Sequence, residues 1–263
     1  MCIILNKMRV LDLFSGKEGF SAPWKRNGHT VITVDNNRDG KFKPTHLLDI
    51  KHFDPIALGY KEGYFDVILG GVPCTEYAKY NMRGCNRHLK KKDSESLIPT
   101  NQLLKEFIRI RDVLKPTFWI VENVKGSIKF ISEYLGKPTV KIGMRWFWTN
   151  EKNNIKDFYS SDEWKLINLA YIPKTYNVKI LMNGKMRTCG RGRRGTAQEL
   201  STIEYVVSES LMCFLLNDKV LWNKRKNERI LEVKKDRDEY NKWAKKQRER
   251  YLRKKRAYKI LDL

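Results

Sequence analysis

This chain has no C-x-x-C pair, no long apolar run and little histidine, and each absence narrows what it can be. Its five cysteines, Cys2, Cys74, Cys85, Cys189 and Cys213, are odd in number and scattered. A disulfide framework needs paired cysteines and a zinc cluster needs closely spaced ligands, so neither is expected and no metal is assigned. Thiols of this kind fit a reducing, intracellular compartment. No apolar stretch approaches the ~20 residues that cross a bilayer, and Met1–Leu5 is too short for a signal peptide. The expectation is a soluble intracellular protein with no membrane contact, residing in the cytoplasm, nucleoid or nucleus. Internal repeats are also lacking.

What the chain does have is positive charge. Among 263 residues, 53 Lys and Arg stand against 30 Asp and Glu, a net +23. Solubility requires far less, and a surplus of this size points to a polyanionic partner, most often nucleic acid; a Lys-rich composition bias is the plainer alternative. Residues 219–263 alone hold 18 Lys or Arg and 7 Asp or Glu, with no Gly or Pro. That stretch reads as a long basic helix with a thin, interrupted apolar stripe, too broken for a coiled coil.

From Met8 to about Asn150, short apolar runs alternate with helical periodicity. Arg9–Leu13, Thr30–Val34, Tyr64–Leu69 and Phe118–Val121 read as strands. Phe20–Asn27 reads as a short helix. Thr100 is placed to cap a second helix carrying Leu103, Leu104, Phe107, Ile108, Ile110 and Leu114, closed by Pro116. Strands separated by helices imply an α/β fold with a doubly wound, mostly parallel sheet, which binds ligands beyond the carboxyl ends of its strands. Three regions are expected: a catalytic domain over 1–150, a small target-recognition region with a returning helix over 151–217, and the basic helical tail over 218–263. The returning helix is expected to start at Thr196 and run through Leu215. Basic, glycine-containing stretches at 83–93 and 187–195 read as loops, the second mobile.

Chemistry-bearing residues gather at the strand ends. Asp12-Leu-Phe-Ser-Gly16 follows the first strand and precedes a helix, where a tight turn exposes backbone N–H groups to a ligand. Asp35 ends the next strand, in the position that binds a ribose diol. Asp49-Ile50 ends a third extended segment, within reach of an adenine amino group. Cys74 follows Pro73 at the end of the run FDVILGGVPC, and Glu122 closes the run FWIVE. A buried small hydrophobe is the ordinary fate of a lone cysteine, but a proline before it and an acid on a nearby strand end argue for reactivity.

These motifs, in this order, resemble those of the cytosine-C5 DNA methyltransferases, and most closely the short virus- and phage-type members. The likeness rests on Val10–Gly19, Pro73–Tyr77, Lys115–Asn123, Arg145–Asn150 and, more weakly, Thr196–Ile203. It covers about Met8 to Leu216 and leaves the tail unmatched. It implies a Rossmann-like domain that binds S-adenosylmethionine through Asp12, Phe14, Ser15, Gly16, Gly19, Asp35, Asn36, Asp49 and Ile50. Phe14 would stack near the adenine or the sulfonium. Cys74 would add to C6 of a flipped cytosine, Glu122 would protonate its N3, and Arg145 would hold the pyrimidine carbonyl or the flipped nucleotide's phosphate. DNA contacts are expected from Arg83, Arg87, Lys90, Lys91, Lys92, Arg187, Arg191, Arg193 and Arg194. RNA as the substrate, or a binding protein that has lost turnover, are the alternatives. The sequence departs from the family pattern at Lys17, at Glu18 (a glycine in relatives), at Ala78 (a serine) and at Gly70–Val72.

Overall fold

The computed structural model describes residues 7–36, 43–77, 98–143, 145–169, 175–182, 185–193 and 205–224, with tail positions 238, 242, 245, 246 and 249. The core is a seven-stranded sheet formed by β1 (Arg9–Leu13), β2 (Thr30–Asp35), β3 (His46–Leu47), β4 (Val67–Gly70), β5 (Phe118–Val124), β6 (Val140–Ile142) and β7 (Arg145–Thr149). Its order is β3-β2-β1-β4-β5-β7-β6. Strands β3, β2, β1, β4 and β5 run parallel, and β7 and β6 join antiparallel. The chain moves outward from β1 through β2 to β3, then returns to the other side of β1 as β4. That reversal is the switch point at which such sheets bind ligands.

Helices cover both faces, so the central strands are apolar almost throughout. On one face Val10, Val67, Leu69, Ile120 and Phe147 pack with Trp24 of α1 (Ala22–Arg26). On the other, Leu11, Leu13, Ile68, Val121 and Trp148 pack with α2 (Gln102–Leu114) and α3 (Ile128–Leu135). Leu104, Phe107, Ile110 and Leu114 recur at spacings of three and four, which puts them on one stripe of α2.

The α2 boundary differs from the sequence expectation. Asn101, not Thr100, precedes the helix, in a left-handed conformation (φ 56°) and without a side-chain cap. The Thr100 hydroxyl still accepts the Gln102 N–H, at 3.3 Å, from one residue further out. Asn101 is instead held by Tyr77, whose hydroxyl donates to Asn101 Oδ1 at 3.0 Å. A tertiary contact has overridden local capping preference.

Beyond the sheet lie α4 (Ile155–Phe158), α5 (Ser161–Leu169) and a hairpin of β8 (Thr175–Met182) and β9 (Lys185–Arg193). The hairpin corrects the expectation of a mobile loop over 187–195: its described part, through Arg193, is paired strand. Backbone pairing with β8 tolerates glycines that would break a helix. The returning helix, α6, is described over Tyr205–Leu215, and the stretch from Thr196 to 204 lies outside the described residues. Val207 and Leu211 of α6 join the α1 face of the core, and the Ser208 hydroxyl donates to the Phe20 carbonyl.

The start of the basic tail is part of this core. Residues 219–224 are helical and Trp222 is fully buried. Glu163 of α5 accepts from Lys219 Nζ (2.9 Å) and Trp222 Nε1 (2.9 Å), while Lys219 also donates to the Phe158 carbonyl (2.6 Å). Burial alone would raise the Glu163 carboxyl, but the Lys219 hydrogen bond and those of Ser160 and Trp222 bring it down to about 2. No described helix is long and apolar enough to cross a membrane.

Candidate active site

The β1–α1 turn is built from alternating left-handed residues: Phe14 (φ 62°), Gly16 (φ 47°) and Glu18 (φ 57°). Such alternation turns successive N–H groups inward and makes a concavity for negative charge. Asp35 at the end of β2 answers it, accepting the Gly16 N–H at 2.9 Å, and Ser15 N–H bonds to the Val34 carbonyl at 3.2 Å. The two strand ends are thereby tied together. Ser15 Oγ is buried with no hydrogen-bond partner, a polar atom suited to a ligand in the turn. Gly19 follows in the same turn, and Asn36 is exposed just past β2.

Asp12 sits deeper than the rest. It is buried beneath the turn, where the Ser21 hydroxyl donates to Oδ2 at 2.5 Å. Burial pushes its carboxyl up to about 7 against the opposing Ser21 bond, and Glu18 adds to the rise. Glu18 pairs with Lys25 of α1 at 2.7 Å. Asp49 caps a one-turn 3-10 segment at 50–52 by accepting the Lys51 N–H at 3.1 Å. The Ile50 side chain belongs to the core cluster with Leu11 and Leu13, so only its backbone is available to a ligand.

The second half of the site lies beyond β4 and β5. Gly70 pairs with Val121 as the last rung between these strands, after which the chain leaves the sheet through Gly71, Val72 and Pro73 to Cys74. Gly70 is where the helix layer comes closest: a Cβ there would lie 2.6 Å from Cδ2 and Cε2 of Phe107. Strand β5 runs on, its end paired with β7, so that Glu122 faces Phe147 and Val124 faces Arg145. Residues two apart on a strand share a face. Arg145 and Glu122 are therefore diagonal neighbours, and Arg145 Nη1 donates to Glu122 Oε1 at 2.9 Å. Both side chains are 9% exposed, so the pair is held largely away from water.

Cys74 completes the group. Its thiol is raised above the ordinary value, first by burial and then by the Glu122 carboxylate, with a backbone hydrogen bond and Arg145 acting the other way. The sulfur thus stands within the electrostatic reach of both charged side chains, and at rest it is a thiol rather than a thiolate. Three residues read from separate stretches of sequence converge at one place. Asn123, not singled out from the sequence, joins them: its Nδ2 donates to the Val72 carbonyl at 3.0 Å and its Oδ1 accepts the Val124 N–H at 2.8 Å. A buried amide directly after the site carboxylate was the available signal.

The residues expected to contact nucleic acid fall only in part among the described ones. Arg187, Arg191 and Arg193 fall on β9. Arg83, Arg87, Lys90, Lys91, Lys92 and Arg194 lie outside the described residues, as does Ala78. Among the described residues, Glu76 Oε2 accepts the Thr100 N–H at 3.0 Å and the Tyr77 hydroxyl donates to Asn101 Oδ1 at 3.0 Å.

A model of the C-5 cytosine-specific DNA methylase family matches residues 8–138. Over 127 residues the chain is 31% identical to a type II methyltransferase, M.FnuDI, of Fusobacterium nucleatum, covering 46% of this chain and 33% of that protein. Over 130 residues it is 28% identical to the type II methyltransferase M.DdeI of Desulfomicrobium norvegicum, covering 46% and 29%. The chain thus spans about a third of the length of the curated relatives it matches. Among solved structures it is similar to the Entamoeba histolytica methyltransferase EhMeth, with a TM-score of 0.43 and 14% identity over 81% of this chain and 99% of that one. The matched stretch begins just before β1, ends just before β6 and contains both Cys74 and Glu122; through residues 8–138 this chain belongs to the C-5 cytosine-specific DNA methylase family.

Proposed function

We propose that this protein transfers a methyl group from S-adenosylmethionine to C5 of a cytosine flipped out of DNA, through a covalent adduct on Cys74. The observation that carries the reading is the meeting of Cys74, Glu122 and Arg145 at the ends of β4, β5 and β7. C5 of cytosine is a weak nucleophile. As Cys74 Sγ bonds to C6, its thiol proton passes through the Glu122 carboxylate to N3, and the electron pair of the C5–C6 double bond becomes available at C5. Arg145 holds the Glu122 carboxylate in place and presents a cation to the pyrimidine carbonyl or to a phosphate. Once C5 carries the methyl group, a solvent base takes the C5 proton, the C5–C6 double bond re-forms and Sγ leaves, recovering through Glu122 the proton that N3 held.

The turn over 12–19 and the ends of β2 and β3 suit the methyl donor. Ser15 offers an unpartnered buried hydroxyl, Asp35 a carboxylate for the ribose diol, and Asp49 an acceptor near the adenine, with Phe14, Gly16, Gly19, Asn36 and the Ile50 backbone around them. The donor supplies an electrophilic methyl on a sulfonium. Glu18, where relatives carry glycine, is charge-paired with Lys25, which lets the turn accept it without an isolated negative charge.

Residues 1–150 form the catalytic unit in this reading, 151–217 a small target-recognition region and 218–263 a basic arm. The virus- and phage-type likeness of the Pro73–Tyr77 and Lys115–Asn123 runs fits so compact an arrangement. Phosphates would be contacted by Arg83, Arg87, Lys90, Lys91, Arg187, Arg191, Arg193 and Arg194 and by the arm. Mass spectrometry of nucleosides from DNA incubated with protein and donor tests the reading. The expected product is 5-methylcytosine from the wild type and none from Cys74→Ser, which keeps its donor affinity. Equal product from Cys74→Ser refutes the adduct, and product appearing only in a parallel RNA sample moves the activity to RNA.

A further inference from the structure

The sheet stops supporting the cysteine loop four residues before the cysteine. The last rung between β4 and β5 is Gly70 with Val121, yet β5 continues to Val124 against β7. Along 122–124 the β4 side of β5 therefore has no strand beside it, and backbone pairing cannot hold the loop there. The Asn123 carboxamide takes over that task. Its Nδ2 reaches the Val72 carbonyl, and its Oδ1 is anchored on the Val124 N–H, so both ends of the amide have a partner and its orientation is fixed. Asn123 is 1% exposed and Val72 3%, which leaves no water to replace the bond if it is broken.

We propose that Asn123 is a positioning residue that sets Cys74 Sγ against Glu122, by holding the Val72 carbonyl through its amide. The inference rests on the catalytic reading above. Pro73 alone, whose ring locks φ, separates the held carbonyl from Cys74. A displacement at Val72 is thus passed to the sulfur with little slack. Glu122 is the neighbour of Asn123 on the same strand, so one strand end holds the acid directly and the nucleophile through a single side chain. Geometry of this kind is sensitive, since a displacement of about 1 Å at a reacting group costs on the order of 100-fold in rate.

The test compares full-length wild type with Asn123→Leu, which keeps the bulk but can neither donate nor carry charge, and with Asn123→Ala. Each is first shown to be folded by near-ultraviolet circular dichroism, and the variant that folds is used. Two quantities are read: the single-turnover rate of methyl transfer to DNA, and the pH profile of Cys74 alkylation by iodoacetamide, followed by peptide mass mapping so that the other four cysteines do not interfere. A loosened loop relieves both the burial and the Glu122 repulsion that raise the thiol, so alkylation shifts to lower pH while transfer falls roughly 10- to 100-fold and donor affinity stays within about twofold. A merely structural amide would lower stability and leave the alkylation profile of the folded protein where it was. An unchanged profile overturns the proposal. The profile is read without DNA or donor, so it decides the role of Asn123 even where the wild type transfers no methyl group, an outcome that would overturn the catalytic reading instead.

Discussion

Replacing Gly70 by alanine tests the packing that leads the chain into the site. The added Cβ would stand 2.6 Å from two carbons of the Phe107 ring, whereas carbon atoms in contact rest roughly 3.5–4.0 Å apart. The ring has nowhere simple to go: Phe107 is fully buried among Leu104, Ile110, Leu114 and Ile68. Relief requires α2 to shift or the ring to leave its rotamer, and overpacking of this kind costs about 1–3 kcal/mol. The upper half of that range is expected, because the obstacle is an enclosed ring rather than the end of a flexible chain. Urea unfolding of Gly70→Ala should show the loss as a lower midpoint with an unchanged slope. Phe107→Ala removes the obstacle and is expected to cost about 3–5 kcal/mol alone. The double variant should be more stable than the sum of the two losses by on the order of 1 kcal/mol or more. Because Gly70 precedes Cys74 by four residues, methyl transfer should fall in the single variant and partly recover in the double. A Gly70→Ala protein within about 0.5 kcal/mol of wild type, or strict additivity, would refute the packing argument.

Two further predictions concern charge. Asp12 is buried, with its carboxyl raised from 3.8 to about 7, so between these values the native chain keeps a proton that the unfolded chain has released. Its contribution to stability is complete below pH 3.8 and is lost as pH rises to about 7, a total on the order of 4 kcal/mol. Asp12→Asn should flatten that part of the stability–pH curve measured by urea unfolding, and curves that stay parallel would show that Asp12 does not titrate in this window. The basic arm should be removed after Lys224, since an earlier cut would strip Trp222 from the core. Beyond that point lie 16 Lys or Arg and 7 Asp or Glu. Truncation should weaken duplex binding and make log affinity less steep against log salt, by about 0.9 for each phosphate the arm had neutralised, and an unaltered slope would exclude the arm from binding.

The legible parts of this protein were those decided by local pattern. A short apolar run such as FWIV, too brief for a helix, reads as a buried strand, and the three-and-four spacing in α2 as one helix face. Strand ends carry the ligand groups in a doubly wound sheet, so Asp35, Cys74 and Glu122 could be chosen before any contact was known. The errors fell where a distant residue outcompeted a local preference. Thr100 and Asn101 are both good capping residues, but Glu76 takes the Thr100 N–H and Tyr77 takes the Asn101 amide oxygen, so neither forms the expected cap. The glycines and arginines of 187–193 suggested mobility, yet pairing with β8 supplies the hydrogen bonds that side chains could not.

Composition and order along the chain determined the charge surplus, the sheet with its switch point, and the placing of a cysteine and an acid at neighbouring strand ends. These follow from residue type and short-range periodicity, which any single sequence carries. Only the tertiary structure decided how those groups stand to one another: Arg145 bonded to Glu122 rather than exposed to solvent, Asn123 holding the loop of Cys74, and Glu163 fastening the root of the tail. Each joins residues more than 20 positions apart, and such meetings are set by strand register and helix packing, which no local stretch of sequence encodes.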